Sequence, residues 1–416
     1  MRSRVTDRFQ FYPLYLTRFV ASLGFITLLT LLPNYIEQLG ATGVVVGLFV
    51  TALGIGRTVA LVPLGWAADR YDKRLLLLLS MLLSAISYGL FVFVDSSAGF
   101  ILARILQGLG IVGTGIISLA LVGELAAADE RANQIGKYNS WRMAAGIIGT
   151  IGAGVLYDAF GFDPIFVVLV VLFVIALFGV WFLVEADDSA IEGFAFFELA
   201  LNERILTVTS FRAQYAVSVT LVRNWVPIFV GVSVARGGLA LSATAVGAVV
   251  ATEKFTNMLG QPFMGRFSDR YGRGLFIAVG GGFYGLITFA IPLASSVGEG
   301  LRISVTLPVL GTVPDVFFVV LLLNGLLGFA DSIREPASMA LFADEGKGSG
   351  ITSSIGIRGL VWRPGALLAP LLGGYLMDSV GMEWVFFIAG GTVLTGVLTF
   401  LGIISKRFGT DALARW

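Results

Sequence analysis

The 416-residue sequence contains no cysteine and no histidine, and only 13% of its residues are charged. The two missing residue types exclude disulfides, thiol chemistry, haem ligation by histidine and most zinc or copper sites, because all of these need thiolate or imidazole groups. The sequence also lacks an Asn-x-Ser/Thr acceptor for N-glycosylation. We therefore expect no metal and no cofactor. We also expect no nucleic-acid partner.

Apolar residues are abundant instead, at 56% of the chain with a mean hydropathy of +0.89. Soluble domains are about half apolar and about a quarter charged. A helix crosses a bilayer with roughly 20 apolar residues, and runs of that length follow one another from residue 11 to residue 405. They predict an all-α protein that is embedded in the lipid bilayer and crosses it twelve times. The predicted spans are 11–34, 43–68, 75–94, 98–124, 135–157, 164–184, 205–232, 242–267, 275–297, 315–342, 351–377 and 383–405.

The distribution of lysine and arginine predicts how these spans are oriented. If the N-terminus is cytoplasmic, the inner segments hold sixteen of the basic residues and the outer loops hold only Arg236 and Arg302. Cytoplasmic loops of membrane proteins are enriched in such residues. The first run is too long for a cleavable signal, so we expect it to be retained. We predict a multi-pass protein of the plasma or inner membrane with both termini cytoplasmic.

The chain also repeats itself. A polar segment with six acids and one arginine, EADDSAIEGFAFFELALNER, separates two groups of six spans. It predicts an N-terminal bundle (1–184), a cytoplasmic linker (185–204) and a C-terminal bundle (205–416). GWAADRYDKR at 65–74 is echoed 200 positions later by GRFSDRYGRG at 265–274. Internal repeats of this kind are typical of transporters, with the transport site near the middle of the membrane.

The repeated segment resembles the loop between the second and third spans of the major facilitator superfamily, Gly-x-x-x-Asp-Arg-x-Gly-Arg-Arg. The matching residues are Gly65, Asp69, Arg70 and Arg74 in the first half and Gly265, Asp269, Arg270 and Arg273 in the second. The resemblance implies twelve transmembrane helices in two six-helix bundles, related by a pseudo-two-fold axis along the membrane normal. It also implies that these residues gate the transporter as a cytoplasmic latch.

A second motif lies in the fourth span, where RILQGLG resembles the family's Arg-x-x-Gln-Gly through Arg104, Gln107 and Gly108. In proton-coupled members this arginine is thought to help proton transfer. The same stretch spells Gly-x-Gly-x-x-Gly, but nucleotide binding by that motif needs a βαβ unit, so we expect these glycines to serve helix packing. The fifth span lacks the proline typical of drug/proton antiporters, since it has only Gly149, Thr150, Ala153 and Gly154.

Charged residues inside the spans are the candidates for the transport site. Each costs about 2.5–3.5 kcal/mol at the centre of a span, so they should face an interior cavity, a partner or the membrane surface. Arg18, Arg212, Arg334 and Glu124 lie near span ends, and reaching for the surface is an alternative for them. Candidate substrate or cavity residues are Arg57, Arg104, Gln107, Arg223, Asn224, Lys254, Asn324 and Arg358.

Without histidine, proton coupling would have to use buried carboxylates, and Glu253 and Asp331 are the candidates. Arg334 lies three residues after Asp331 on the same helical face, which favours a static ion pair. Lys254 is adjacent to Glu253 and should point about 100° away. We therefore expect Glu253 to be the proton carrier.

These features predict a secondary active transporter that works by alternating access. We expect a proton-coupled exporter of small molecules, which is not an enzyme. The alternative is an organic-anion or metabolite carrier, by uniport or symport, because the surplus of cations suits an anionic substrate. A membrane receptor or an embedded enzyme is a remote alternative. The expected partners are an anionic or amphipathic small molecule, protons and the bilayer.

Overall fold

A computed structural model describes residues 3–68, 70–126, 130–186, 203–301, 305–307, 311–345, 351–409 and 413. The chain divides into two compact units. The first comprises Met1–Ala41 with Leu48–Glu192, and the second comprises Thr42–Gly47 with Gly193–Trp416. Most of the predicted linker lies outside the described residues, so its boundaries stay a prediction.

The first six predicted spans are confirmed as long helices. They are α1 (Ser3–Thr30), α2 (Gly43–Ala68), α3 (Lys73–Leu90), α4 (Ser97–Leu125), α5 (Arg131–Phe160) and α6 (Asp163–Leu183). The first predicted span ran on to residue 34, but α1 ends at Thr30 and a separate short helix, Leu32–Gln38, follows with Pro33 in its first turn. Proline is tolerated there because its missing N–H would have no helical partner.

The other six predicted spans are also helices. They are α7 (Glu203–Gly231), α8 (Ala243–Tyr271), α9 (Arg273–Ala290), α10 (Asp315–Glu345), α11 (Ile351–Ser379) and α12 (Met382–Phe408). The side chain of Ser242 caps α8 by accepting a hydrogen bond from the backbone N–H of Ala245 at 3.2 Å, which satisfies one of the free donors at a helix start. A further short helix, Ala294–Leu301, follows α9.

The segment between α9 and α10 differs from the sequence-based expectation of a simple loop. Strands β1 (Val305–Leu307) and β2 (Gly311–Val313) form an antiparallel hairpin in which Val305 pairs with Val313. Alternating valine, threonine and leucine favour extended structure. Three-residue strands are too short to give a clear periodic signal beside long apolar runs.

Helices differ in polarity between the two units. Within the described residues, nine helices are long and apolar enough to cross a membrane, namely α1–α6, α9, α10 and α12. The remaining long helices carry charges in mid-sequence, such as Arg212 and Arg223 in α7 or Glu253 and Lys254 in α8. The three more polar helices all belong to the second half of the chain.

Glycines allow the helices of the first unit to pack closely. A Cβ atom added to Gly108 of α4 would lie 2.3 Å from the backbone oxygen of Leu53 in α2. One added to Gly113 would lie 2.1 Å from the Oγ atom of Ser80 in α3. Small residues let membrane helices approach in this way. The prediction that the glycine motif serves packing is therefore confirmed.

Candidate functional site

The second unit contains a cluster of five charged side chains in the middle of its helices. The Arg223 guanidinium of α7 bridges two carboxylates, with Nη2 at 3.1 Å from Glu253 Oε1 and at 2.8 Å from Asp331 Oδ2. Arg334 donates from Nη2 to Asp331 Oδ1 at 2.6 Å. Lys254 forms an ion pair with the remaining oxygen of Glu253. We call these five residues the ion cluster.

Accessibility divides the ion cluster into a sealed end and an open end. Asp331 and Arg334 are 1% and 3% exposed, and the Tyr215 hydroxyl donates a further hydrogen bond to Asp331 Oδ1 at 2.8 Å. The side chains of Arg223 and Lys254 are 36% and 31% exposed, while Glu253 between them is 8% exposed. Glu253 is thus buried but flanked by two cations that can be reached from outside the helix bundle of this unit.

Two interpretations of these charges can be checked directly. The predicted static pair of Asp331 and Arg334 is confirmed. The expectation that Lys254 points away from Glu253 is wrong, because the two side chains are in contact. Adjacent Cα–Cβ bonds diverge around a helix, but the four-carbon stem of lysine is long and flexible enough to reach back.

A line of amides continues from the ion cluster along α8. Asn257 donates to Asp331 Oδ2 at 3.4 Å and to the backbone oxygen of Gly328 at 3.3 Å. Gln261, one turn further, donates to Asn257 Oδ1 at 2.6 Å. Glu253, Asn257 and Gln261 are spaced by four residues and so lie on neighbouring turns. This polar line leads from the buried carboxylates toward the repeated motif at the end of α8.

The first unit holds its deepest cation differently. Arg104 of α4 is 2% exposed. It donates from Nε to the backbone oxygen of Phe49 at 3.1 Å and from Nη1 to Gln107 Oε1 at 2.9 Å, and Gln107 in turn donates to the Tyr88 hydroxyl at 2.7 Å. In the described part of the chain, Arg104 has no carboxylate partner. The structure brings Arg104 and Gln107 together in a sealed network.

The residues proposed to reach only for the membrane surface have partners of their own. The Arg18 guanidinium lies 5.2 Å from the ring of Tyr138 in α5, and the Arg212 guanidinium lies 4.9 Å from the ring of Trp362 in α11. In each unit an arginine of the first helix therefore covers a ring of the fifth, an arrangement that stabilises a desolvated cation. The surface alternative is wrong for Arg212 and Arg334, which are buried. The fourth such residue, Glu124, forms an ion pair with Lys73, whose Nζ lies 3.1 Å from Glu124 Oε1.

The remaining cavity candidates lie apart from the ion cluster or link helices. Arg57 lies 6.0 Å from the Phe25 ring. Asn224 donates to the Thr220 oxygen of its own helix at 2.7 Å. Asn324 is buried and ties α10 to α8 through a 2.6 Å bond to the Val249 oxygen. The side chain of Arg358 lies outside the described residues.

The repeated motif loops make local contacts. Asp69 lies outside the described residues. Asp72, which stands where the family has glycine, caps α3 by accepting from the backbone N–H of Arg74 at 2.8 Å. The Arg74 side chain donates to the backbone oxygen of Trp181, and the Arg70 guanidinium lies 4.7 Å from the Trp66 ring. A gating role for these residues stays a prediction.

The second motif loop is simpler. Asp269, near the end of α8, and Arg273, the first residue of α9, form an ion pair at 2.9 Å, with Asp269 59% exposed. Arg270 lies with its guanidinium 5.5 Å from the ring of Tyr271. Gly265 has room for a Cβ atom, whose nearest neighbour would be Pro336 at 3.5 Å. Close packing therefore does not require glycine at this repeated position.

Sequence reasoning missed two members of the site, Tyr215 and Asn257. Asn257 lies four residues after Glu253, so the rule that such residues share a helical face could have identified it. Tyr215 gave no such signal, because it lies in α7 and its partner Asp331 is 116 residues away. Only the packing of α7 against α10 brings them together.

Two repeated halves of membrane-spanning helices, one of which buries an ion cluster, are the architecture of a membrane transporter. A family model described as Major Facilitator Superfamily matches residues 14–301 and 215–410. The chain belongs to the major facilitator superfamily, as the repeated motif indicated. Its members carry small-molecule substrates across membranes and are not enzymes, so the multi-pass membrane protein is a transporter rather than an enzyme.

Relatives and a solved structure match the chain over nearly its full length. An uncharacterized MFS-type transporter of Methanocaldococcus jannaschii is 23% identical over 410 residues, covering 94% of this chain and 97% of that protein. The quinolone resistance protein NorA of Staphylococcus aureus is 20% identical over 411 residues, covering 94% and 96%. The crystal structure of the nucleoside transporter NupG has a TM-score of 0.74 at 15% identity, covering 95% of this chain and 99% of that one. The last likeness concerns the fold alone.

Proposed function

We propose that this transporter is a secondary active exporter that moves small molecules out of the cell in exchange for protons, by alternating access. The observation that carries the proposal is Glu253, a buried carboxylate on a membrane-spanning helix that contacts two accessible cations. Export is favoured by relatives named for resistance, NorA and the multidrug resistance protein MdtG of Salmonella arizonae, the latter 23% identical over 408 residues.

The geometry suggests how a proton would couple to substrate. Burial favours the neutral form of a carboxyl group, and contacting cations favour the charged form. While Arg223 and Lys254 touch Glu253, the carboxylate is stabilised. When a substrate group or a helix movement draws these cations away, Glu253 is left buried without a counter-charge and takes up a proton. Return of Arg223 and Lys254 then expels that proton.

Asp331 has a different part in this proposal. It is held by Arg223, Arg334 and Tyr215 and is sealed from solvent, so it anchors the ion cluster while Glu253 changes partners. The amides of Asn257 and Gln261 extend from this anchor along α8 and supply hydrogen-bonding groups along which water could carry the proton.

The proposal extends to the membrane and the gates. Both termini lie in the cytoplasm of a cell with the protein in its plasma or inner membrane, and two bundles, 1–184 and 205–416, rock about a linker at 185–204. The acidic residues of the repeated loops, Asp69 and Asp269, act as latches between conformations. Arg104 aids proton transfer in the first bundle.

A second candidate function is an organic-anion or metabolite carrier without proton coupling. The ion cluster favours it because two of its cations, Arg223 and Lys254, are accessible. A guanidinium fork matches carboxylate and phosphate groups. In this function an anionic substrate would replace Glu253 as the partner of Arg223.

Transport by the purified protein in liposomes tests both functions. A panel of cationic, zwitterionic and anionic solutes is added with and without an imposed pH gradient, and an internal pH-sensitive dye records proton movement. We expect solute-dependent proton movement in the wild-type protein and its loss in Glu253→Gln. The matched control is Glu37→Gln, which removes a carboxylate outside the ion cluster.

The outcomes separate the candidates. Proton movement that persists in Glu253→Gln contradicts the role of this carboxylate. Uptake of an organic anion with no proton movement in the wild-type protein favours the carrier function and contradicts proton exchange. If the Glu253→Gln variant still exchanges solute in the absence of a pH gradient, the solute-binding site of the variant is intact.

A further inference from the structure

The first unit contains a cavity that none of the motifs or charged-residue arguments above involve. It has a volume of about 460 Å³ and lies between the beginning of α1 and the beginning of α5. Binding sites for small molecules usually measure about 300–1,000 Å³. We call it the α1–α5 cavity, and its walls include Tyr12, Tyr15, Glu130, Gln134, Lys137 and Trp141.

Aromatic rings form much of this wall and are held in place. The ring of Tyr15 stacks on that of Phe11 at 6.1 Å between centroids. Trp141 makes an edge contact with Phe19 at 5.7 Å, and both Trp141 and Tyr12 remain exposed on their other sides. Fixed rings with a free face bind flat aromatic molecules by stacking, and they bind cations through the negative face of the ring.

A hydrogen-bonded chain forms the polar floor. The Tyr15 hydroxyl donates to Gln134 Oε1, and Gln134 Nε2 donates to Glu130 Oε2 at 3.4 Å. Tyr15 and Gln134 are both buried, so this chain orients the exposed carboxylate of Glu130 at one end of the cavity. The other carboxylate oxygen of Glu130 is available to a ligand.

The two charges of the cavity have opposite signs and stand apart. Glu130 and Lys137 are separated by seven residues, or about 10 Å along a helix axis, and both are exposed. Within the described residues, neither forms an ion pair. An ammonium group would be attracted to Glu130 and an anionic group to Lys137, while the rings of the cavity wall would hold an aromatic body.

We propose that the α1–α5 cavity binds flat aromatic zwitterions, with the cationic group toward Glu130 and the anionic group toward Lys137. The proposal rests on the exporter function and names the chemistry of its cargo. It places the first contact with the cargo in the first unit, whereas the ion cluster belongs to the second. Cargo binding and proton binding are therefore assigned to different units.

Binding of three xanthene dyes of similar shape tests the proposal without any gradient. Rhodamine B is a zwitterion, rhodamine 6G a cation and fluorescein an anion. Fluorescence anisotropy is measured with full-length protein in detergent, and protein-free micelles are subtracted. We expect the wild-type protein to bind rhodamine B about tenfold more tightly than either other dye, since only it can satisfy both charges and the rings.

Substitutions should dissect the preference charge by charge. Glu130→Gln should weaken the binding of rhodamine B and rhodamine 6G several-fold and leave the binding of fluorescein unchanged. Lys137→Gln should weaken the binding of rhodamine B and fluorescein and leave the binding of rhodamine 6G unchanged. Trp141→Leu should weaken all three dyes. Glu37→Gln and Lys406→Gln, which change the same residue types outside the cavity, should bind like the wild-type protein.

Several results would overturn the proposal. Equal affinity for the three dyes, or the same affinity in Glu130→Gln and Trp141→Leu as in the wild-type protein, would show that the cavity does not select them. Displacement of rhodamine B by phosphatidylethanolamine would make the cavity a lipid headgroup site. If dyes bind as expected but no proton-driven transport occurs, the site stands and the exporter function fails. If proton-driven transport occurs without selective dye binding, the exporter function stands and the proposed site fails.

Discussion

Arg104 of the first unit and Arg223 of the second both lie inside membrane-spanning helices, yet their partners differ in kind. Arg104 donates to the neutral oxygens of Phe49 and Gln107. Arg223 contacts two carboxylates, Glu253 and Asp331. Within the described residues the first arrangement contains no carboxylate, whereas the second contains two.

This difference bears on where a proton can act. A backbone carbonyl or an amide keeps its charge state at any physiological pH, so the network of Arg104 is electrically constant. A carboxylate can be neutralised by a proton, and its attraction for a neighbouring arginine then falls. The ion cluster of the second unit can therefore be switched by protonation, while Arg104 supplies a fixed charge.

The largest effect on stability is expected from Asp331→Asn. This substitution removes the carboxylate that Arg334 contacts at 2.6 Å in a sealed position, and breaking a buried pair from one side typically costs about 3–5 kcal/mol. We expect a clear fall in the unfolding temperature and in the yield of the purified protein. Thermal unfolding in detergent measures it.

Glu253→Gln is the matched comparison for that experiment. Its two cations are partly accessible, so water can solvate them when the carboxylate is lost. We expect a smaller fall in unfolding temperature than for Asp331→Asn. Equal effects of the two substitutions would contradict the division of the ion cluster into a sealed and an open end.

An intermediate effect is expected from replacing Arg104. Arg104→Met removes the charge together with its hydrogen bonds, so no ion is left unpaired. The acceptors that Arg104 contacted stay buried without a donor, which lowers the free energy of unfolding by about 1–3 kcal/mol. Arg104→Lys keeps the charge but loses the planar fork. We expect both variants to transport more slowly per folded molecule than the wild-type protein. Normal transport by both would show that the residue is structural only.

The smallest change in stability is expected in the motif loops. Asp269 is exposed and pairs with Arg273 across the break between α8 and α9, and exposed ion pairs contribute only about 0.2–1 kcal/mol. Asp269→Asn should therefore unfold like the wild-type protein. Both Asp269→Asn and Asp69→Asn should transport more slowly, because both residues are proposed latches. Initial rates per folded molecule in liposomes test this. Wild-type rates in both variants would contradict the latch, and a loss in only one would make the two repeats unequal.

Much of the fold could be predicted because membrane spans are continuous apolar runs. The pair of Asp331 and Arg334 could also be predicted, since both residues lie on one helical face. The bridge from Arg223 to Glu253 and Asp331 could not, because it joins three helices whose packing the sequence pattern does not specify. The hairpin between α9 and α10 was missed because its strands are only three residues long.

The candidate site shows the same limit at the level of single side chains. Asn224 and Asn324 look alike in sequence, as polar residues within apolar helices. Asn224 bonds to its own helix, whereas Asn324 joins two helices. Helical periodicity indicates which face a residue occupies, but not which neighbour its amide reaches.

The bridging position of Arg223 also sets an order of events at the ribosome. Its partners Glu253 and Asp331 follow it by 30 and 108 residues. At about 5–20 residues per second, the first partner is made about 2–6 s after Arg223 and the second about 5–22 s after it. Phe49 and Tyr88, by contrast, are made before Arg104, and Gln107 comes three residues later. The buried Arg104 of the first unit can thus be satisfied as it leaves the ribosome, whereas Arg223 of the second unit lacks its second carboxylate until α10 has been made.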